Sequence, residues 1–357
     1  GNRPALAPGE GARVIPRTDR GRRVQQRIYA DRPQCVAVVG DPRIGKTTFL
    51  DWLVRAAEEA DPPPPPGTRF VRLSLAGPAS ASPSAFLHDV LEALRTASPV
   101  AGEEPSMRAS TLPGSTDASP RTYAAFETEV QEAAQAGGRV ILLLDDFDHV
   151  TRSQAFPATF FSFLRAQANQ FPVAYVTTSR QDLQQLCVLK EVEESPFFNI
   201  FQNLNLGPLD ETAARTLVAE RAPSADPAVL GAWTWEESGG LPEIAVACAD
   251  IVAAGAEPGD AARETLDAQL APYFTVLWEH FDTVQRALLE HIAAGEPPGE
   301  RDARPLRDLG PRRGYVRERE GRWGVTSAAL RRFLASRRGS NAPGLMTRVK
   351  RLFGGSR

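Results

Sequence analysis

Residues 35–48 read CVAVVGDPRIGKTT, and each part of this stretch predicts a different local structure. The continuous apolar run of residues 35–39 predicts a short strand that is buried on both faces. The two glycines and the Lys-Thr pair of residues 40–47 have the spacing of a phosphate-binding loop, in which backbone N–H groups surround phosphate oxygens. Residues 46–60 carry apolar side chains at helical spacing, so we expect the loop to open a helix whose N-terminus faces the phosphates.

This loop supplies candidate ligands for a nucleotide and for its metal ion. Lys46 is expected to reach the β- and γ-phosphates, and Thr47 to place its hydroxyl on Mg²⁺. Thr48 is expected to contact the α-phosphate. The predicted nucleotide-binding residues of the loop are Gly40, Asp41, Pro42, Arg43, Ile44, Gly45, Lys46, Thr47 and Thr48.

A second apolar run, residues 140–144, ends in the acidic pair Asp145 and Asp146. A strand that ends in an aspartate is typical of the partner motif of a phosphate-binding loop, so Asp145 is predicted to hold Mg²⁺ together with Thr47. Asp146 stands where a second carboxylate can orient or deprotonate the attacking water. Aspartate is one methylene shorter than the glutamate that is common at this position, which favours slow hydrolysis of ATP to ADP.

Strands alternate with helices over the first 207 residues, and each strand is a largely apolar run, which predicts an α/β fold with a parallel sheet. Five strands are predicted, at residues 35–39, 70–75, 140–144, 173–177 and 200–206. The order of the motifs suits a sheet in which strand 173–177 lies between the two motif strands. Arg180, just after that strand, would then lie beside the γ-phosphate, where a guanidinium suits phosphate oxygens.

The rest of the chain is predicted to contain a small helical domain and a winged helix-turn-helix domain. The predicted boundaries are 1–34 for a basic segment and linker, 35–207 for the nucleotide-binding domain with a flexible insertion at about 98–121, 208–280 for the helical domain, 281–338 for the winged helix and 339–357 for a basic flexible tail. In the helical domain, Gly239-Gly240-Leu241-Pro242 separates two helices. Pro242 suits the first turn of a helix; alternatively, its loop packs on an adenine base.

Taken in order, these motifs resemble the signal-transduction ATPases with numerous domains, the STAND branch of the AAA+-related P-loop NTPases. The resemblance spans about residues 14–338. It implies that nucleotide-binding, helical and winged-helix domains close around the nucleotide, that ADP holds a closed monomer, and that ATP favours an open, oligomerising form. It also implies the roles given above for Lys46, Thr47, Asp145, Asp146, Arg180 and Pro242.

The charge of the chain is unevenly distributed. Residues 299–357 hold 16 lysines and arginines against 5 acidic residues, although the whole chain has a formal net charge of −3. A basic winged helix can contact DNA phosphates, and Arg304, Arg307, Arg312 and Arg313 lie where a recognition helix is expected. Alternatively, the domain is an intramolecular lever whose arginines, interleaved with acidic residues, form a solvated surface. The tail beyond residue 344 is either a short basic amphipathic helix or a frayed terminus.

Composition excludes several other classes of protein. No apolar run approaches the roughly 18 residues of a membrane span, and the first ten residues lack a signal-peptide core, so a cytoplasmic protein is predicted. Cys35, Cys187 and Cys248 are scattered and form no paired metal motif. The sequence thus favours an ATPase switch that self-associates or engages a protein partner. A DNA-binding P-loop ATPase and a non-catalytic, nucleotide-dependent scaffold are the alternatives.

Overall fold

The computed structural model of the protein describes residues 18–57, 60–97 and 120–341. Most of the predicted insertion and the predicted tail lie outside these ranges. Pro120 and Arg121, at the end of the approximate range of that insertion, belong to a helix. The described residues form two compact units: residues 18–41 with Gly45–Leu206, and Pro42–Ile44 with the chain from Gly207 onward. No helix within the described ranges is long and apolar enough to cross a membrane.

The first unit contains five strands and seven α-helices among its described residues. In chain order they are α1 (Thr18–Ile28), β1 (Cys35–Val39), α2 (Lys46–Arg55), β2 (Thr68–Ser74), α3 (Pro83–Thr96), α4 (Pro120–Gln135), β3 (Arg139–Asp145), α5 (Asp148–Thr151), α6 (Ala158–Gln170), β4 (Val173–Ser179), α7 (Lys190–Glu193) and β5 (Phe201–Asn205).

The five strands form one parallel sheet in the order β2-β3-β4-β1-β5. Strands β1, β3 and β4 are buried along their whole length, which is why their sequences are continuous apolar runs and not alternating ones. The prediction that the strand beginning at Val173 is inserted between the two motif strands is confirmed. This order brings the carboxyl ends of β1, β3 and β4 side by side.

Two features of this unit differ from the prediction. The helix after the phosphate-binding loop was predicted to reach residue 60, but α2 ends at Arg55, where the Ala56 N–H bonds the Trp52 carbonyl. The four-residue helices α5 and α7 were not predicted, because one helical turn is too short to show a periodic apolar pattern.

The second unit is helical apart from one hairpin. Its elements are α8 (Glu211–Arg221), α9 (Pro227–Ser238), α10 (Pro242–Ala253), α11 (Asp260–His280), α12 (Thr283–Ala293), α13 (Ala303–Arg307), a π-helical turn (Asp308–Arg312), β6 (Val316–Arg319), β7 (Arg322–Val325) and α14 (Ala328–Asn341). Gly310 and Pro311 lie within this helical run and do not end it. The run continues as the wider π turn, in which the Arg313 N–H bonds the Asp308 carbonyl at 3.0 Å.

The hairpin of β6 and β7 turns at Glu320-Gly321. Both turn residues have positive φ, 51° and 74°, which is the backbone of a two-residue type I′ turn. The antiparallel register pairs Val316 with Val325 and Arg319 with Arg322. The turn therefore sets which side chains of β6 and β7 share a face.

A buried carboxylate ties together three helices of the second unit. Glu237 of α9 is fully buried, and it accepts hydrogen bonds from Arg263 of α11 and Arg332 of α14, each at 2.7 Å. Arg332 also donates two 2.8 Å bonds to Asp267. A buried charge is stable only when it is paired and hydrogen-bonded, so this network fixes the relative positions of α9, α11 and α14.

Candidate nucleotide-binding site

The phosphate-binding loop is anchored where β1 ends. The Gly40 N–H donates to the Ser179 carbonyl at the end of β4, at 3.1 Å. Gly45, which precedes α2, has a φ of +93°, a conformation that glycine adopts without steric cost. Arg43 also has a positive φ, 57°. The loop thus makes a tight turn that leads directly into the N-terminus of α2.

Lys46 is held at this turn by the loop itself. Only 8% of the residue is exposed, and its Nζ donates to the Gly40 carbonyl at 2.9 Å and to the Asp41 carbonyl at 3.1 Å. An ammonium group has three donors, so these bonds leave one N–H for a phosphate oxygen. Burial lowers the pKa of Lys46, and the carboxylates of Asp146, Asp41, Asp148 and Asp145 oppose that shift. The structure therefore brings the lysine and the strand-end aspartates together.

Asp145, the predicted metal ligand, is oriented by two neighbours that the sequence did not single out for this role. Its Oδ1 accepts a 2.5 Å hydrogen bond from Thr178 Oγ1, whose oxygen in turn accepts from the Asp146 N–H at 2.8 Å. Its Oδ2 lies 3.6 Å from Nη2 of Arg72, which also pairs with Asp51. Thr178 thus positions both aspartates, and Arg72 balances their charge.

Arg72 was missed because nothing around it in the sequence marks a site. It lies in β2, where Thr68–Ser74 reads TRFVRLS. The available signal was a charged side chain inside a strand that is otherwise apolar, because such a residue requires a partner if it is buried. Only the pairing of β2 with β3 shows that its partner is Asp145.

Asp146 and Asp148 give the site a concentrated negative charge. Burial raises the pKa of Asp146 above its ordinary value, and the nearby Asp145 and Asp148 carboxylates raise it further, against the opposing effects of Lys46 and His149. Asp146 also has a φ of +56°. Asp148 is buried, and its Oδ1 has no hydrogen-bond partner among the described residues.

Arg180 lies immediately after β4 and approaches Asp148 loosely, with Nε 3.9 Å from Oδ2. About half of its side chain is exposed. In the loop, Thr47 and Thr48 are exposed, whereas Asp41, Pro42 and Ile44 are buried. Pro42, Arg43 and Ile44 cluster with the second unit, where Arg43 forms an ion pair with Glu243. Arg180 and the two threonines are thus available to a ligand.

The oxygen donors at the strand ends suit Mg²⁺. An exposed threonine hydroxyl and a strand-end carboxylate are hard ligands, and the buried Asp148 Oδ1, which has no partner among the described residues, is a further oxygen within electrostatic reach of Lys46. The described residues contain no group of three or more His, Cys, Asp or Glu side chains that could hold a metal alone. Mg²⁺ usually takes one or two protein ligands together with phosphate oxygens and water. The residues therefore fit this ion.

Pro242 belongs to the second unit, where it is the first residue of α10. Gly240 before it has a φ of +89°, and an added Cβ there would overlap the Leu209 carbonyl oxygen. The turn between α9 and α10 thus accounts for the glycine and the proline. The role of Pro242 beside an adenine base stays a prediction.

Two family profiles match this sequence and overlap at its centre. The Novel STAND NTPase 2 family matches residues 121–298, and the AAA domain family matches residues 29–187. This chain belongs to the STAND-type, AAA-like P-loop ATPases. A search of the curated proteins returned no match.

Solved structures similar to this STAND-type ATPase share its fold. The Walker-type ATPase of Pyrococcus abyssi is 11% identical, with a TM-score of 0.55, over 90% of this chain and 96% of that one. The ORC2 protein of Aeropyrum pernix, solved as ADPNP–ADP complexes, is 14% identical, with a TM-score of 0.54, over 93% of this chain and 99% of that one. At such identities the likeness concerns the arrangement of the chain alone.

The bridging hydroxyl of Thr178 gives a prediction for this STAND-type ATPase. Thr178→Val keeps the β-branched shape but leaves Asp145 Oδ1 and the Asp146 N–H without their partner, so we expect a loss of about 1–3 kcal/mol in the free energy of unfolding. Thr177→Val is the matched control, because Thr177 is equally buried and its Oγ1 has no partner among the described residues. Chemical denaturation of both variants checks this; equal stabilities would contradict the bridging role.

Proposed function

We propose that this protein is an ATP-dependent switch that binds ATP with Mg²⁺ and hydrolyses it slowly to ADP. One observation carries the proposal: the buried Lys46 of the loop and the aspartates that end β3 lie at the same edge of the sheet, within electrostatic reach of each other. A lysine that binds phosphates beside carboxylates that bind a metal and a water is the arrangement that phosphoryl transfer to water requires.

Binding uses the loop and the start of α2. Backbone N–H groups of residues 40–48 surround the phosphates, and Lys46 adds its remaining N–H at the β- and γ-phosphates. Thr47 and Asp145 hold Mg²⁺, which offsets phosphate charge when it is bound. Thr48 contacts the α-phosphate, and Arg180, exposed at the end of β4, reads the γ-phosphate.

Hydrolysis depends on Asp146. Its raised pKa makes it a better proton acceptor than an ordinary aspartate, so it can orient an attacking water and take its proton. The short side chain holds that water less favourably than a glutamate would, which is the reason to expect slow turnover. Slow turnover suits a switch, since each nucleotide state then persists long enough to be read by a partner.

The nucleotide state is proposed to control self-association or the engagement of a protein partner. The proposed domains are 35–207 for nucleotide binding, 208–280 for the helical domain with Pro242 at the adenine, and 281–338 for a winged helix. The network of Glu237 with Arg263 and Arg332 favours a lever, because it links α9 and α11 to α14 with charged hydrogen bonds.

The test measures bound nucleotide and molecular mass together. Nucleotide is extracted from purified protein by denaturation and identified by HPLC, and light scattering gives the mass with ADP or with ATP and Mg²⁺. We expect co-purified ADP on a monomer and assembly or partner binding with ATP. Empty protein that neither nucleotide binds or alters would overturn the proposal.

The contacts of the predicted recognition helix do not favour a role in DNA binding. Arg313 lies over the rings of Phe281 and Tyr315, at 4.8 and 5.4 Å, and also pairs with Asp308. Arg312 pairs with the same carboxylate at 3.3 Å. Two of the four predicted arginines are thus engaged within the second unit, so the DNA-binding alternative loses half of its predicted contacts.

A further inference from the structure

A cleft in the second unit lies between the hairpin β6–β7, the end of α9 and the start of α14. Its volume is about 420 Å³, within the range of sites that take small ligands or single residues of a polymer. Four arginines and two tryptophans line it: Arg317, Arg319, Arg322, Arg331, Trp235 and Trp323. It involves none of the residues assigned above to the nucleotide.

The charge of this arginine-tryptophan cleft is strongly positive and unbalanced. Glu236 is the one acidic residue of its lining. Within the described ranges, the four guanidinium groups make no hydrogen bond or ion pair, in contrast to Arg332 nearby on α14, which is paired with Glu237 and Asp267. Unpaired cations gathered around a concave site favour an anionic ligand.

The hairpin brings together on one face arginines that alternate with glutamates in the sequence. Residues 317–322 alternate in sign as Arg-Glu-Arg-Glu-Gly-Arg, but side chains of a strand alternate between its two faces. Arg317 and Arg319 therefore share a face, and the register adds Arg322 directly opposite Arg319. Like charges placed opposite each other destabilise a hairpin, so stability does not explain this pair.

Trp235 adds a flat aromatic surface to the charge. It is half-buried, and within the described residues its ring contacts no other aromatic ring. Trp323 is paired with Glu318 and so belongs to the other face of the hairpin from Arg319 and Arg322, where an added Cβ on Gly310 would lie 3.5 Å from its ring. An indole that borders a basic cleft can stack an unpaired base.

We propose that the arginine-tryptophan cleft binds a short segment of single-stranded nucleic acid. Arginines that bind backbone phosphates and aromatic rings that stack bases are the two components of single-strand recognition. In a duplex, neighbouring base pairs cover the faces of each base, so Trp235 would have nothing to stack on. An acidic or phosphorylated peptide would use the arginines but would not require the indole.

Fluorescence anisotropy of the full chain tests this, with a labelled oligothymidylate of about twelve nucleotides and with a duplex of the same length. ADP is present throughout, so that the phosphate-binding loop is not the site measured. We expect the single strand to bind at low salt and to bind more tightly than the duplex. Each neutralised phosphate contributes roughly −0.7 to the slope of log K against log salt.

Charge variants test whether binding depends on the arginines of this cleft or only on the total positive charge of the protein. The double variant Arg319→Ala/Arg322→Ala is expected to weaken single-strand binding roughly tenfold and to reduce the salt slope by about 1.4. It removes a like-charge pair on the surface, so folding should be preserved. The control is Arg121→Ala/Arg165→Ala, which removes the same charge from two exposed residues of α4 and α6 outside the cleft.

An aromatic pair of variants tests the stacking. Trp235→Ala is expected to weaken binding at least fivefold, and Trp235→Phe to restore most of it. Absence of binding at low salt, duplex binding as tight as that of the single strand, or equal losses in the cleft variant and its control would overturn the proposal. So would equal competition by a phosphorylated acidic peptide.

Discussion

Asp146→Asn is expected to lower the rate of ATP hydrolysis by roughly 10²- to 10⁴-fold while ATP still binds, because the amide cannot accept a proton from water. The substitution suits the backbone, since Asn tolerates the positive φ of this position as well as Asp does. Turnover is followed by phosphate release and binding by titration with ATP and Mg²⁺. An unchanged turnover rate would show that Asp146 is not the base.

The raised pKa of Asp146 predicts the direction in which turnover and stability change with pH. The pKa of Asp146 is raised in the folded protein, so the acid limb of the kcat profile should lie above the ordinary range of aspartate. A carboxyl group that binds its proton more tightly when folded makes the folded state lose stability as pH rises from the ordinary aspartate pKa through the raised one. Asp146→Asn has no carboxyl group at this position and therefore lacks that loss. At pH values above the raised pKa, its Tm should be higher than that of the wild type.

A control separates these effects from the mere loss of a charge. Asp260 of α11 has a side chain that is 96% exposed, and its ion pair with Arg263 is of the surface type. Asp260→Asn should change neither turnover nor the pH dependence of stability to a comparable degree, because exposed ion pairs contribute little. The scaffold alternative predicts that all three proteins hydrolyse ATP equally poorly.

Lys46→Ala is expected to weaken the binding of ATP and ADP by roughly ten- to a hundredfold, because a charge-assisted hydrogen bond to phosphate is lost. The variant also removes the cation that opposes the negative charge of the strand-end aspartates, so their repulsion of a nucleotide increases. The pKa of Asp146, which Lys46 lowers, should rise further. Isothermal titration measures the affinity, and light scattering shows whether nucleotide still alters the mass.

Lys190→Ala is the matched control for this measurement. The chain has only three lysines, and Lys190 lies on α7, where it pairs loosely with Glu194 at 3.6 Å and is largely exposed. Its removal leaves the phosphate-binding loop unchanged, so nucleotide affinity should stay at the wild-type value. Equal affinities of Lys46→Ala and the wild type would remove the basis of the proposed function.

The centre of the sheet could be predicted because β1, β3 and β4 are buried on both faces and are therefore largely apolar. Their apolar runs identified these strands, and the order of the motifs indicated the insertion of β4. The helices of the second unit were located for a related reason. Their capping residues, glycines and prolines mark their ends within a few residues.

The partners of Asp145 could not be predicted in the same way. Arg72 precedes it by 73 positions and Thr178 follows it by 33, and neither belongs to a motif that names a partner. The separation of arginines from glutamates on the hairpin also depended on the register that the turn sets. The contacts of Arg313 with Asp308 and with the rings of Phe281 and Tyr315 likewise depended on how the second unit packs.

By itself, the sequence determined the glycine-rich loop, the acidic strand end, the buried strands and most of the helices, since each depends on residues close together in the chain. Tertiary structure alone decided which side chains balance and orient the aspartates, and where unpaired arginines meet a tryptophan. The physical reason is that hydrogen bonds and electrostatic interactions act over a few ångströms in space. Strand pairing and helix packing create those short distances between residues that are far apart in the chain, and no local sequence pattern shows that such residues will meet.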